Sequence, residues 1–567
     1  MAAQRTTSSD DSATLWPPGT VRLEDITPLG ERDIILEPRP SEDPNDPLNW
    51  STGRKYFNFG LVCLYVAMVA EFINASTPTW GPMNKELGYS YAILNDSYAV
   101  GCACLGLGSV ILIPFALKFG RRPLYLFSTM LQFGLSIWSA RMQSVADLML
   151  INILQCFFGS LAEVIVQMTI ADIFFTHQRG RMNAIYVWVW LLASYLGSLI
   201  AGFVAKGQGW RWIWWWNAIF FGIAILLVAF GYEETKYAPP IVGRSPETMN
   251  PPASDAPNQG KAEEKSKNSD VEPKLDSTQN IAPTKSIDTL EGGSPPKSHT
   301  VVINNSIPRK TYWQRLAVFT PTSTGGIRNN AFFCHMYQPL VILTTIPAVA
   351  YTALVYGILV GLGDVMSTTL STFLVQPPYN FTSDQVGLMS VPRVIGVTIG
   401  AILIGPLSDW AVVFSARRNN GIYEPESRLW CVVPFLLFIP AGALLFGIGL
   451  NNHLPWPAIA VGLALYSIGV IAINSVIIAY LTDSYKDIIG DAVVGVTLVR
   501  NSFSTAFIFA LSPWEEKVGL KWVFVTILLI ACAILAMLGV FIKWGKKFRG
   551  QCAAKYRYYS VRQYKQR

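Results

Sequence analysis

Charge is what this chain has least of. Aspartate, glutamate, lysine and arginine make up 14% of its 567 residues, where a soluble globular protein carries roughly 25%. The charge present sits mainly in the first 55 residues, in a stretch near 236–330 and after Lys543. The rest is far too apolar for a water-soluble core. Histidine is scarcer still: His177, His299, His335 and His453 all fall in loops or at the ends of apolar runs. Proton coupling inside the apolar body must therefore rest on carboxylates. The eight cysteines lie in or beside apolar runs at no metal-ligand spacing, which reads as packing and excludes a disulfide framework. There is no phosphate-binding Gly-Lys-Ser/Thr loop and no catalytic constellation, so neither ATP drive nor enzyme chemistry is expected, and no cofactor or metal. The net charge of +7 comes without an aromatic-interleaved basic patch, which argues against nucleic acid as a partner. No cleavable signal peptide is visible, so the first apolar run is expected to direct insertion.

What is there is a series of apolar runs, each near the roughly 20 residues that cross a bilayer. Twelve are expected, near 56–76, 97–117, 124–143, 148–171, 183–205, 212–232, 347–373, 388–409, 429–450, 456–481, 493–513 and 519–542. They divide the chain into a polar N-terminal segment 1–55, a six-span half 56–232, a linker 233–330, a second six-span half 331–542 and a basic tail 543–567. The linker, with "GRSPETMNPPASDAPNQGKAEEKSKNSDVEPKLDSTQ", cannot bury a core and is expected to be disordered, as is the N-terminal segment. The expected fold class is thus an all-α membrane protein with twelve transmembrane helices in two six-helix halves.

Lysine and arginine in the short loops set the orientation. With the N-terminus cytoplasmic, the inner loops hold Lys118, Arg121, Arg122, Arg179, Arg181, Arg417, Arg418, Arg428 and Lys486, and the outer loops only Lys85, Arg141, Lys206, Arg211 and Lys517. Both termini are then expected in the cytoplasm, and the sequon Asn380-Phe381-Thr382 outside, as a candidate glycosylation site.

The two halves repeat. "PFALKFGRRP" after span 2 corresponds to "IGPLSDWAVVFSARRNNG" after span 8, each with an arginine pair. "IADIFFTHQRGR" after span 4 corresponds to "YLTDSYKDIIGD" after span 10, with Asp172 and Asp483 in matching places. Parallel repeats of this kind belong to secondary transporters that bind substrate between the halves. With "DPNDPLNW", "KFGRRPLYL", "LQCFFGSLAE", "GWRWIWWWNAIF", "YEPESRL" and "VRNSF", the chain over about 43–550 resembles a fungal member of the major facilitator superfamily, close to the twelve-span drug:proton antiporter group. The resemblance implies a monomeric carrier of a small organic molecule, coupled to protons, working by alternating access in the plasma membrane. It implies export of a drug-like or secondary metabolite first, and uptake of a polyamine or organic cation as the alternative. A nutrient sensor that kept the fold is the alternative of another class.

Against the family's patterns, the loop after span 2 keeps Lys118, Gly120, Arg121 and Arg122 but not the acid, whereas the second half keeps Asp409. The resemblance implies a latch in which Arg121 or Arg122 pairs with Asp172; the plainer alternative is arginines that only set topology. Asn152 and Gln155-Cys156 stand where relatives carry an arginine before a Gln-Gly pair. In span 5, Ser194 and Ser198 replace the prolines of the antiporter run, which weakens the export reading.

Ionisable residues inside spans should face a cavity or a partner. Glu163 stands first, because Asn152, Gln155, Gly159, Glu163 and Gln167 are spaced 3, 4, 4 and 4 and form one polar stripe on span 4. Asp364, with Tyr356 nearby, and Arg500 follow; Glu71, Asn474 and Trp190 are further candidates. Lys118, Arg121, Arg122, Asp172, Arg179, Arg181, Asp409, Arg417 and Asp483 are the candidate cytoplasmic gate.

Overall fold

A computed structural model describes residues 17–22, 41, 43–237, 308–317, 330–419 and 422–562, which all belong to one compact unit. Residues 238–307 and 318–329 of the expected linker lie outside the described residues, as does most of the N-terminal segment.

The first half is built from α1 (Thr52–Asn74), α2 (Trp80–Leu87), α3 (Tyr91–Phe119), α4 (Arg122–Ala140), α5 (Val145–Gly159), α6 (Leu161–Ile173), α7 (Thr176–Gly207) and α8 (Arg211–Gly231). A single turn, α9 (Tyr312–Arg315), precedes the second half. That half contains α10 (Asn330–Thr345), α11 (Pro347–Phe373), α12 (Ser383–Leu388), α13 (Val391–Arg418), a 3-10 stretch Pro425–Leu437, α14 (Phe438–Asn451), α15 (Trp456–Ser484), α16 (Ile489–Val518), α17 (Leu520–Ala536) and α18 (Leu538–Arg562). Among the described residues, the one departure from helix in the regular structure is a two-residue antiparallel bridge between β1 (Val21–Arg22) and β2 (Ile422–Tyr423).

Among the described residues, eleven helical segments are long and apolar enough to cross a membrane. The twelfth crossing is α4, with 19 residues. It is less apolar because Ser128, Thr129, Gln132, Ser136 and Ser139 are buried along it. Their donors find carbonyls: Thr129 and Ser136 donate one turn back at 2.6 and 2.8 Å, and Ser128 Oγ and Gln132 Nε2 donate to the Phe158 and Gln155 carbonyls of α5 at 3.0 and 2.8 Å. A span can carry such polarity when no group is left facing lipid.

Several boundaries differ from the sequence reading. Span 1 begins earlier, at Thr52, and is followed by α2, which that reading left as loop. Span 4 breaks at Ser160 into α5 and α6. The basic tail continues span 12 as helix to Arg562, with no loop between. Residues 43–50, assigned to the polar N-terminal segment, form a knot instead. Asp46 Oδ1 caps Leu48 at 3.0 Å, and Asn49 Nδ2 ties back to the Ser41 and Asp43 carbonyls at 2.7 and 2.8 Å.

Each half has its own apolar core. The core of the first half also takes in Val494 and Ile508 of α16, so that helix packs across the divide. The end of the bundle that carries both termini is called the terminal end below, and the opposite one the far end. At the far end, Lys206 of α7 pairs with Asp384 of α12 at 2.8 Å. Beside it, a Cβ added to Gly202 would sit 2.5 Å from the Ser383 carbonyl, so only glycine permits this approach of the two halves.

Candidate substrate and proton site

Glu163 stands in the first turn of α6, just past the break at Ser160. Tyr186 of α7 fixes that turn, its hydroxyl donating to the Ala162 and Glu163 carbonyls at 3.2 and 3.1 Å. Across the divide, α16 delivers Arg500, and its Nη2 is ion-paired with Glu163 Oε1. The two residues are 3% and 8% exposed, so the pair is held away from water. Arg500 Nη2 also donates to Asn501 Oδ1 at 3.1 Å, and the guanidinium lies 5.9 Å from the Tyr356 ring. A charge buried in a membrane bundle is costly unless paired, and pairing joins the two halves here.

One turn along α16, Ser504 donates to Asp364 Oδ2 of α11 at 2.6 Å. Asp364 lies within electrostatic reach of both Arg500 and Arg393. Arg393, on α13, is buried; its Nη1 donates to Ser367 Oγ at 2.6 Å, and its guanidinium lies 5.6 Å from the ring of Tyr195 on α7. Glu163, Arg500, Asp364 and Arg393 therefore form a ladder of alternating sign between the halves.

The remaining candidates lie elsewhere. Asn152 and Gln155 do not follow Glu163 to the divide. With Ser97, Tyr98, Ser139 and Trp214 they line a small cavity inside the first half, near the far end. Gln167 and Trp190 are half-buried, and Trp190 packs on the core of the first half. Asn474 is buried on α15. Glu71 packs its stem on Gly197 and accepts from Asn217 Nδ2 at 3.3 Å, between α1, α7 and α8. Asn380 is exposed in the far-end loop, with φ 50°.

At the terminal end of the first half, Arg121 Nε stands 3.0 Å from Asp172 Oδ2. Glu234 accepts from the Arg121 and Arg122 backbone N–H groups at 3.0 and 3.1 Å, and Arg122 Nη2 donates to the Ala229 carbonyl at 2.6 Å. Lys236 Nζ donates to the Leu117 and Lys118 carbonyls at 2.7 and 2.9 Å. Burial first, and then nearby Arg121, push the Lys236 ammonium down to about 8. Glu234 and Lys236 were assigned to the linker; the run "YEETK" directly after an apolar span was the available signal.

The second half uses a different arginine from the one its sequence repeat suggests. Asp483 is held by Arg428 at 2.8 Å and by the Tyr423 hydroxyl at 2.6 Å, and Arg428 Nη1 donates to Ser408 at 3.1 Å. Arg417 and Arg418 are exposed, as is Arg181. The side chains of Arg179 and Asp409 lie outside the described residues. Arg549 of α18 is fully buried in a two-point pair with Glu426, at 2.7 and 2.6 Å, and reaches the Thr20 hydroxyl at 3.1 Å. His335, read as peripheral, is in fact buried, with Nδ1 3.6 Å from Asp491. Arg393 and Asp384 are absent from the sequence reading, and Lys206 enters it only as an outer-loop cation. Arg393 is an ionisable residue near the start of a span, and the rule that selected Glu163 selects it too.

The family model of the Major Facilitator Superfamily matches residues 60–506. The chain belongs to the major facilitator superfamily. It is 32% identical over 541 residues to the uncharacterized MFS-type transporter C1271.10c of Schizosaccharomyces pombe, covering 92% of this chain and 89% of the relative. It is 29% identical over 532 residues to protein HOL1 of Saccharomyces cerevisiae, covering 91% and 90%. Its fold is similar to that of the proton:xylose symporter XylE bound to 6-bromo-6-deoxy-D-glucose, with a TM-score of 0.55 at 11% identity over 87% of this chain and 97% of that one. This major facilitator is thus a multi-pass membrane transporter of small molecules and not an enzyme.

Proposed function

We propose that this facilitator carries a small organic molecule with a cationic group, coupled to protons, with Glu163 as the exchange point. The observation that supports this most directly is the buried Glu163–Arg500 pair, whose partners come from opposite halves. A proton on Glu163, or a substrate ammonium taking the place of Arg500, weakens the bond that joins the halves. Either event therefore favours their separation, which is what alternating access requires. Glu71, which accepts from the neutral Asn217, is a further carboxylate inside the first half.

The terminal end is proposed to be cytoplasmic, with Arg121–Asp172 and Arg428–Asp483 as paired gates and the carrier in the plasma membrane. Export is the first reading of direction, from the resemblance to the drug:proton antiporters. A second reading, uptake of a polyamine or organic cation, is favoured by α7. That helix runs unbroken from Thr176 to Gly207, and Ser194 and Ser198 bond back to carbonyls one turn earlier at 2.8 and 3.1 Å. The bend implied by the antiporter run is therefore missing.

Purified protein in liposomes, with an imposed pH gradient and labelled organic cations including polyamines, tests the proposal. Cation flux driven by the gradient in either direction supports it, and the sign of the flux separates export from uptake. Flux of these cations that ignores the gradient would sink the proton-coupled reading.

A further inference from the structure

The ladder between the halves has two open ends, and they are of opposite sign. At one end Glu163 Oε2 is buried and has no hydrogen-bond partner among the described residues. At the other, Arg393 Nη2 is buried and equally without one. The inner rungs are held within the ladder, Arg500 Nη2 by Glu163 and Asn501 and Asp364 by Ser504, although Arg500 Nε is a further buried atom without a hydrogen-bond partner among the described residues. Burial of polar atoms without partners is costly, and more so where the group is charged. Two such atoms terminating one line of charges call for a ligand that meets both.

The spacing follows from the helices. Arg500 and Ser504 are one turn apart on α16, a rise of about 6 Å at 1.5 Å per residue. Asp364 and Ser367 are three residues apart on α11, roughly 4.5 Å, and Ser367 is bonded to Arg393. The anionic and cationic open ends are thus separated by roughly 10 Å along the bundle. The aromatic rings of Tyr356 and Tyr195 flank the Arg500 and Arg393 guanidinium groups.

We infer that the ladder is a two-ended site for an elongated zwitterion, with an ammonium received at Glu163 and a carboxylate at Arg393. The inference rests on the reading of Glu163 as the cation site and adds Arg393 as the residue that selects an anionic group. Arg393 supplies a planar, permanently charged fork suited to a carboxylate, which a lysine does not reproduce. Tyr195 belongs to the first half and Arg393 to the second, so a carboxylate seated on Arg393 reports directly on how the halves meet.

Titration calorimetry on the purified full-length protein separates the possibilities with two probes of matched length, 8-aminooctanoate and 1,8-diaminooctane. The wild type is expected to bind the zwitterion at least tenfold more tightly than the diamine. Arg393→Gln should weaken the zwitterion by that factor and leave the diamine unchanged, Arg393→Lys should recover only part of the loss, and Glu163→Gln should weaken both probes. Tighter binding of the diamine by the wild type, still weakened by Glu163→Gln, would overturn the zwitterion site and leave the cation reading standing. A zwitterion preference that survives Arg393→Gln would overturn the role of Arg393. Binding of neither probe, or equal binding of both by the wild type and Glu163→Gln, would overturn the inference together with the reading beneath it.

Discussion

Arg121 and Asp172 meet at 3.0 Å at the terminal end of the first half, and neither stands alone: Glu234 gathers the backbone around Arg121, and Thr235 Oγ1 donates to Asp172 at 3.4 Å. The segment that follows α8 is therefore part of the proposed gate. It ties the end of the sixth span to the turn after the second and the end of the fourth.

Arg121→Lys keeps the charge that orients the protein but loses the guanidinium fork. Charge-assisted hydrogen bonds are worth about 1.5–3 kcal/mol each, so transport is expected to fall roughly ten- to a hundredfold while insertion and surface abundance stay unchanged. Labelled-substrate flux normalised to protein amount checks this. Undiminished flux would reduce Arg121 to a topology signal.

Lys236 gives this gate a pH dependence. Its ammonium is pushed down to about 8 in the folded protein, below the roughly 10.4 of an exposed lysine. The unfolded chain binds more protons at this site between those values, so the Lys236 contribution to stability rises with pH across that window. The wild-type melting temperature minus that of Lys236→Met should therefore increase from pH 7 to pH 10. A difference that is flat or falls across this range would contradict the assignment.

Arg549 and Lys206 form pairs of unequal worth. Arg549→Gln leaves Glu426 buried without its two-point partner, a loss of about 3–5 kcal/mol. Lys206, at 58% side-chain exposure, holds Asp384 in a solvated pair worth about 0–1 kcal/mol. Thermal unfolding in detergent should show a large drop for Arg549→Gln and almost none for Lys206→Gln.

Gly202→Val tests the far end. The new side chain would collide with the Ser383 carbonyl, so the far end should no longer close. A disulfide between Lys206→Cys and Asp384→Cys should form readily in the parent and slowly in the Gly202→Val background.

The helical architecture was legible because membrane crossing imposes a length and a hydropathy that no other signal mimics. Even α4, the least apolar span, was found, since Thr129, Ser136 and Ser139 bond to their own helix and leave the apolar run readable. The charged sites were less legible. Glu163 and Arg500 each stood out as costly, but that they pair across the halves is tertiary information that no spacing encodes. Asn152 and Gln155 line the small cavity inside the first half instead, because spacing along one helix does not encode which neighbours its polar residues meet. The repeat drew attention to Arg417 and Arg418, whereas Asp483 takes Arg428 from the next segment, where the Pro425–Leu437 turn brings it within reach.

The central claim is that Glu163 couples protons to movement of the halves. The most direct test is proton flux itself: liposomes carrying a trapped pH-sensitive dye, with substrate added to wild type and to Glu163→Gln. Substrate-linked proton movement in the wild type, absent in Glu163→Gln although that variant still exchanges substrate down its own gradient, is the predicted result. Proton movement of equal size in both would contradict it.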